Sequence, residues 1–220
     1  MTESSPDYDV GLSSALRAPL QGRSRQSYER MMSAAEELLA LHGNGDFTIS
    51  DVSKAGSVSI GSIYNRFESK EALLHAVQLR VLERVNREMT ESMAAAIAEY
   101  RDLDHLVDRL VRAVADTLYR HARSMSALMQ VGSVDSVVSA TGKAFYAKSV
   151  EAFCQALLDH SDQIKRPDPA RAVDTAFRVL YSTIARYLGF GSAMSAAWEG
   201  DWSVLKEDLG TMIASFLRTP

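Results

Sequence analysis

The chain has 220 residues, 46% of them hydrophobic, and a formal net charge of −4 at pH 7; that is enough apolar material for one large core or two smaller ones. A single cysteine, Cys154, excludes an internal disulfide or a cysteine metal cluster and suits a reducing, cytoplasmic setting. Arg178 and Arg186 interrupt the apolar segment 176–198, and Gly189 and Gly191 break its end, so no membrane span is expected; the acidic start MTESSPDYDV lacks the basic and apolar regions of a secretion signal.

Residues 1–22 mix Ser, Pro, Gly and Asp without a sustained period and read as a flexible tail. From Ser24 onward Tyr28, Met31, Met32, Ala35, Leu38 and Leu39 recur at helical steps, until Gly43 offers the left-handed conformation that ends a helix. Asn44, Gly45 and Asp46 then form a turn. Thr48 and Asp51 make a capping-box pattern, so a short helix should run to Gly56. Further polar starts stand at Ser59 and Ser69. Behind Ser69, Leu73, Val77, Val81 and Val85 keep one face apolar, which predicts a long helix from Lys70 to beyond Glu91. Helical spacing returns over 103–120 (Leu106, Leu110, Val114, Leu118) and 137–159 (Phe145, Val150, Phe153, Leu157, Leu158). Asp168 as cap and Pro169 in the first turn open another helix, reaching Leu188, and the last runs over 202–217 with Leu205, Leu209, Met212, Ile213 and Phe216 on one stripe. No segment alternates with strand period, so the expected fold is all-α.

The charge is unevenly placed. Residues 1–16, 17–70 and 71–220 carry −3, +1 and −2, and Arg17, Arg23, Arg25 and Arg30 crowd the start of the middle block. A nucleic-acid partner is therefore permitted without being demanded. Within that block, in the stretch SVSIGSIYNRFESKEALL, residues 57–74, a second short helix over 59–66 follows the first after only Ser57 and Val58. So short a connection sets two helices at a steep angle, as in a helix-turn-helix whose second helix enters the major groove. Projected at about 100° per residue, Ile60, Ile63, Tyr64 and Phe67 share a buried arc, while Gly61, Ser62 and Asn65 lie opposite. Gly61 permits close approach, Ser62 can bond a base or phosphate, and Asn65 can pair with adenine. Tyr64 at the edge of the arc can reach a phosphate. Arg66 and Lys70 lie at the margins, near the backbone, and the free amides behind Thr48 and Ser69 offer further phosphate positions. The competing reading is an ordinary packed corner, with Ser59, Ser62 and Ser69 as caps or surface and Tyr64 in the core.

AAEELLALHG (34–43), TISDV (48–52) and VSIGSIYNRFESKEALL (58–74), with Tyr64, Phe67, Lys70 and the Leu73-Leu74 pair at matching spacings, resemble the DNA-binding domain of the TetR (tetracycline repressor) family of bacterial regulators. The resemblance covers about residues 25–74. It implies a helix-turn-helix domain over 23–69, a larger helical ligand-binding and dimerisation domain over 70–220, and a repressor that binds a palindromic operator. It also implies DNA contacts from Thr48, Ser50, Ser59, Ile60, Gly61, Ser62, Tyr64, Asn65 and Lys70. Ile60 is then exposed to the groove, against the projection above. Arg25, with Arg23, either enters the adjacent minor groove or stays solvated. One departure concerns the turn: the family's Ala-Gly pair falls on Gly56 and Ser57, which predicts a strained or altered turn at Ser57.

The last two helices carry more apolar surface than a lone surface helix needs and form the natural homodimer interface, as family members similarly pair them. The resemblance further implies a small-molecule effector among the helices between Lys70 and Leu188. Tyr119, Met125, Met129, Phe145, Tyr146, Phe153 and Tyr181 are candidate lining residues, with His121 or Arg178 as polar anchors. No catalytic site, metal or cofactor is expected: His42, His75, His105, His121 and His160 are scattered, no nucleophile motif is visible, and Cys154 lies mid-helix among apolar neighbours. The rival reading is an all-α dimer that binds ligand or protein without reading DNA sequence.

Overall fold

A computed structural model describes residues 22–190 and 200–220. The tail expected over 1–22 lies outside the described residues except for Gly22, as does Arg17. Every regular element among the described residues is helical, and the chain divides into two compact units, Met1–Gln78 and Leu79–Pro220.

The first unit holds α1 (Gly22–His42), α2 (Ile49–Gly56), α3 (Ile60–Tyr64) and the beginning of α4 (Lys70–Ala98). Helix α1 stops where expected: Gly43 adopts φ 74° and its amide donates to the Leu39 carbonyl at 2.9 Å. The periodic stripe of α1 is its buried face, with Met31, Met32, Ala35 and Leu39 all at most 1% exposed. Val52 from α2, Ile63 from α3, and Phe67, Leu73 and Val77 complete this core. At five residues, α3 is far too short to persist alone. Packing holds it, since full burial of a side chain such as Ile63 stabilises by roughly 1.5–3 kcal/mol.

The second unit contains the rest of α4, then α5 (Leu103–Arg120), α6 (Ala122–Gly132), α7 (Ser136–Leu158), a single 3-10 turn (Ser161–Gln163), α8 (Pro169–Tyr187) and α9 (Trp202–Arg218). Asp102, Asp135, Asp168 and Asp201 cap α5, α7, α8 and α9 by accepting first-turn amides. Leu106, Leu110 and Val114 of α5 meet Phe153 and Leu157 of α7, Val173, Phe177, Leu180 and Ile184 of α8, and Leu209, Ile213 and Leu217 of α9 in one core. Gly210 lets α9 lie close along α5, for a Cβ there would stand 3.5 Å from the Asp108 Cα. Across the same contact the nearly buried Lys206 ammonium meets Asp116 at 2.6 Å, and the Trp202 indole donates to the same carboxylate at 3.0 Å.

Helix α6 is an element that the sequence pattern did not announce. It begins directly at the end of α5, where His121 serves as C-cap of one helix and N-cap of the next with φ −104° and ψ 12° and donates no side-chain cap. The His121 ring instead lies 2.9 Å from the Glu88 carboxylate on α4, which Arg120 also approaches at 3.3 Å.

Candidate nucleic-acid interface

The candidate interface is built around the turn between α2 and α3. Ser57 stands at φ 48°, ψ 48°, and among the described residues it is the one non-glycine with a positive φ. Its amide donates to the Lys54 carbonyl at 3.3 Å and that of Val58 to the Ser53 carbonyl at 3.1 Å, the paired bonds of a Schellman ending. The Ser53 hydroxyl then donates to the Val58 carbonyl at 2.6 Å, fixing the direction in which the chain enters α3. Gly56 faces α1 so closely that a Cβ would lie 3.1 Å from the Arg30 carbonyl oxygen.

On α3 the buried position is Ile63, fully enclosed, while Ile60 is 44% and Tyr64 54% exposed. The projection that buried Ile60 is therefore corrected, and so is the reading of Tyr64 as core. Val52 and Val58 are themselves buried, and a helix of one and a half turns has room for one inward residue. Ile60, Gly61, Tyr64 and Asn65 all reach solvent, with Ser62 half-buried beside them. Ser59 caps α3: its hydroxyl accepts the Ser62 amide at 3.1 Å and lies 2.8 Å from the Ser62 hydroxyl.

Thr48 has a different commitment. Its amide and hydroxyl both donate to the Asp51 carboxylate, at 2.9 and 2.7 Å, and its hydroxyl accepts the Asp51 amide at 3.2 Å. These Thr48 hydrogen bonds hold the Asp51 carboxyl below the usual range for aspartate. The half-buried Ser50 sits in the first turn of α2, and Arg25 is exposed on α1. The Lys70 ammonium lies 5.1 Å over the Phe47 ring, and the residue is half-exposed.

The candidate effector residues fall into separate groups. Tyr146, Phe153 and Tyr181 meet around Phe177 between α7 and α8, with Tyr146 and Tyr181 edge to face at 4.7 Å and Phe153 and Phe177 at 5.2 Å. Burial, then the neighbouring Tyr146, pushes the Tyr181 phenol up to about 12. Tyr119 is 54% exposed and packs on Trp202, His121 faces Glu88, and Arg178 pairs with Asp174 on the outside of α8. Met125, Met129 and Phe145 are half-buried. Cys154 is half-buried with its thiol pushed up by desolvation, which disfavours the reactive thiolate. Among the described residues no His, Cys, Asp and Glu cluster could hold a metal ion, and no helix is long and apolar enough to cross a membrane.

Residues 31–77 match the family model described as bacterial regulatory proteins, tetR family. No curated protein matches the chain. Among solved structures, the fatty acid degradation regulator FadR from Bacillus halodurans superposes with a TM-score of 0.65 at 18% identity, over 88% of this chain and 97% of its own. A tetR-family transcriptional regulator from Streptomyces coelicolor reaches 0.64 at 18% identity, over 89% and 82%. The TetR family regulator PfmR from Thermus thermophilus reaches 0.58 at 20% identity, over 86% and 97%. At these identities the superpositions speak for the fold, and the matched segment coincides with the helix-turn-helix described above. Residues 31–77 thus match the tetR family of bacterial regulatory proteins, within a chain whose helical fold is similar to those of these solved regulators.

Proposed function

We propose that the protein is a cytoplasmic transcriptional repressor that binds a palindromic operator as a homodimer and leaves it when a small-molecule effector binds. The observation that carries this reading is the outward face of α3, where Ile60, Gly61, Tyr64 and Asn65 reach solvent at the corner of a helix-turn-helix. On this reading Ile60 meets a thymine methyl and Asn65 pairs with adenine. Ser59 and Ser62 contact the same groove. Tyr64, Lys70, Ser50 and the amides opening α2 hold phosphates, and Arg25 reaches the flanking minor groove. Thr48 acts chiefly by organising the α2 amides, because its own donors serve Asp51.

Dimerisation through α8 and α9 is supported by the apolar side chains those helices still expose, Val179, Val204 and Met212. Reading a palindrome as a twofold dimer requires the two α3 helices about 34–36 Å apart, one turn of DNA. The effector position best supported is the aromatic group of Tyr146, Phe153 and Tyr181, which suits an apolar ligand. An effector that favours a dimer of different head spacing would release the DNA.

Titration onto DNA from around its own gene, at two salt concentrations, tests this. The expected result is one palindromic site bound at nanomolar concentration, with Asn65→Ala relaxing choice at one base pair and Lys70→Ala weakening all sequences alike. Equal, weak binding to every sequence would instead support a ligand- or protein-binding module.

A further inference from the structure

Arg66 follows the C-cap of α3, where the sequence suggested a side chain for the DNA backbone. Its half-buried guanidinium is turned inward instead. One terminal nitrogen donates to the Ser24 carbonyl at 3.0 Å and to the Ser24 hydroxyl at 2.5 Å, and the group lies 5.5 Å from the Tyr28 ring centroid. Tyr28 in turn stacks on Phe67 at 6.4 Å, and Phe67 is buried. The segment leaving α3 is thereby joined to the opening turns of α1.

Each of the two elements joined is weak alone. Helix α3 has five residues and cannot nucleate by itself. The first turn of α1 holds Arg23 and Arg25 with no acidic residue, so the helix dipole and the mutual repulsion of the cations both oppose its formation. A third cation at that end would oppose it further. The arrangement is favourable only because the guanidinium is bonded to acceptor oxygens and lies against an aromatic face. Arg25 stands in the same turn, exposed.

We propose that Arg66 is a positioning residue for DNA recognition and not a phosphate contact. It ties the first turn of α1 to the end of α3, and so sets where Arg25 stands relative to Ser62 and Asn65. This rests on the operator reading above and names a residue on which that reading's geometry depends.

Two measurements test it. In the DNA-free protein, Arg66→Ala and Arg66→Lys should each speed hydrogen exchange of the Gln26, Ser27 and Tyr28 amides about tenfold, leaving α8 unchanged. Unaltered exchange would overturn the clamp. Operator affinity is then measured in a double-mutant cycle. Arg66→Ala should weaken binding about tenfold in the native background but less than about twofold beside Arg25→Ala, because the loss runs through Arg25. Arg66→Lys should fail to restore affinity although it keeps the charge. Additive losses, or full rescue by lysine, would make Arg66 a direct phosphate contact and end the proposal. If Arg66→Ala does not fold, Ser24→Ala removes one acceptor and should speed the same amides to a smaller extent; no change there would equally refute the clamp. Faster exchange without any preferred DNA sequence would sink the operator reading, and the role in recognition with it, while leaving the clamp itself in place.

Discussion

Replacing Ser57 by glycine should stabilise the protein, and the size of the effect follows from the turn. The left-handed conformation at φ 48°, ψ 48° costs an ordinary residue about 1–2 kcal/mol. Glycine removes that cost but loses more freedom on folding, which takes back roughly 0.5–1 kcal/mol. The net gain is about 0.5–1 kcal/mol, and for a chain of this length each kcal/mol moves the melting temperature by about 2–4 °C. A rise of about 1–4 °C is therefore expected by calorimetry or circular dichroism. Ser57→Ala keeps the penalty and should melt close to the native chain. Ser57→Val, whose branched side chain tolerates the region worst, should melt lower. The reasoning fails if glycine raises neither melting temperature nor operator affinity, or if alanine gains as much as glycine.

Gly56→Ala should lower the melting temperature, because the Arg30 carbonyl oxygen at 3.1 Å and the Ala34 Cβ at 3.3 Å are parts of α1 that cannot swing aside; overpacking of about 1–3 kcal/mol outweighs alanine's helix propensity of at most about 1 kcal/mol. Asp116→Ala should cost about 2 kcal/mol, measured by chemical denaturation, since it strands the nearly buried Lys206 ammonium, whereas Lys206→Met should be close to neutral. Tyr181 stays protonated in the folded chain up to about 12 while the unfolded phenol ionises near 10. The unfolded state therefore binds fewer protons between these values, and stability is lost as pH rises through them, by about 2 kcal/mol. Denaturation midpoints at pH 9 and 11 should show a drop that Tyr181→Phe abolishes.

Period and caps were enough to place most of the helices. Thr48, Asp168 and Pro169 mark starts because their chemistry is local, and the stripes of α1, α4 and α5 became the buried faces, whereas of the α9 stripe only Leu209 and Ile213 are buried and Met212 is exposed. What stayed hidden depends on contacts distant in sequence. Helix α6 has no capping side chain of its own, and its start rests on a break at His121 that Glu88, 33 residues away, holds. Arg66 read as a surface cation because its partner Ser24 lies 42 residues back. Ile60 was misplaced by projection for a different reason. A 100° step assumes that a helix has a full buried stripe, and α3 buries Ile63 alone. The candidate effector residues show the same limit, since aromatic and Met side chains look alike in sequence whether they line a cavity, fill a core or pack on Trp202.

The marginal charge of the reading head bears on how it should bind. Of the seven basic residues between 17 and 70, Arg66 is turned to Ser24 and the ammonium of the half-exposed Lys70 lies over the Phe47 ring. Arg17 lies outside the described residues, and Arg30 and Lys54 are exposed but belong to none of the proposed contacts. The proposed interface places Arg25 and Lys70, with Arg23, at phosphates, two or three cations per protomer, its other backbone contacts being neutral hydroxyls and amides. Neutral donors position a protein on DNA without releasing counterions, so they add little to the salt dependence. A dimer with four to six such cations should show a log-log salt slope of about −4 to −5, at about 0.9 per phosphate neutralised. Arg25→Ala in both protomers should bring it down by about 2. A native slope near −9 would require about ten neutralised phosphates, more than the four to six that the proposed contacts supply. That result would mean the DNA also reaches basic residues outside the proposed contacts, Arg30 and Lys54 first among them. A shallow slope with sequence preference intact would mean that recognition here depends on the shape and hydrogen bonding of α3 more than on charge.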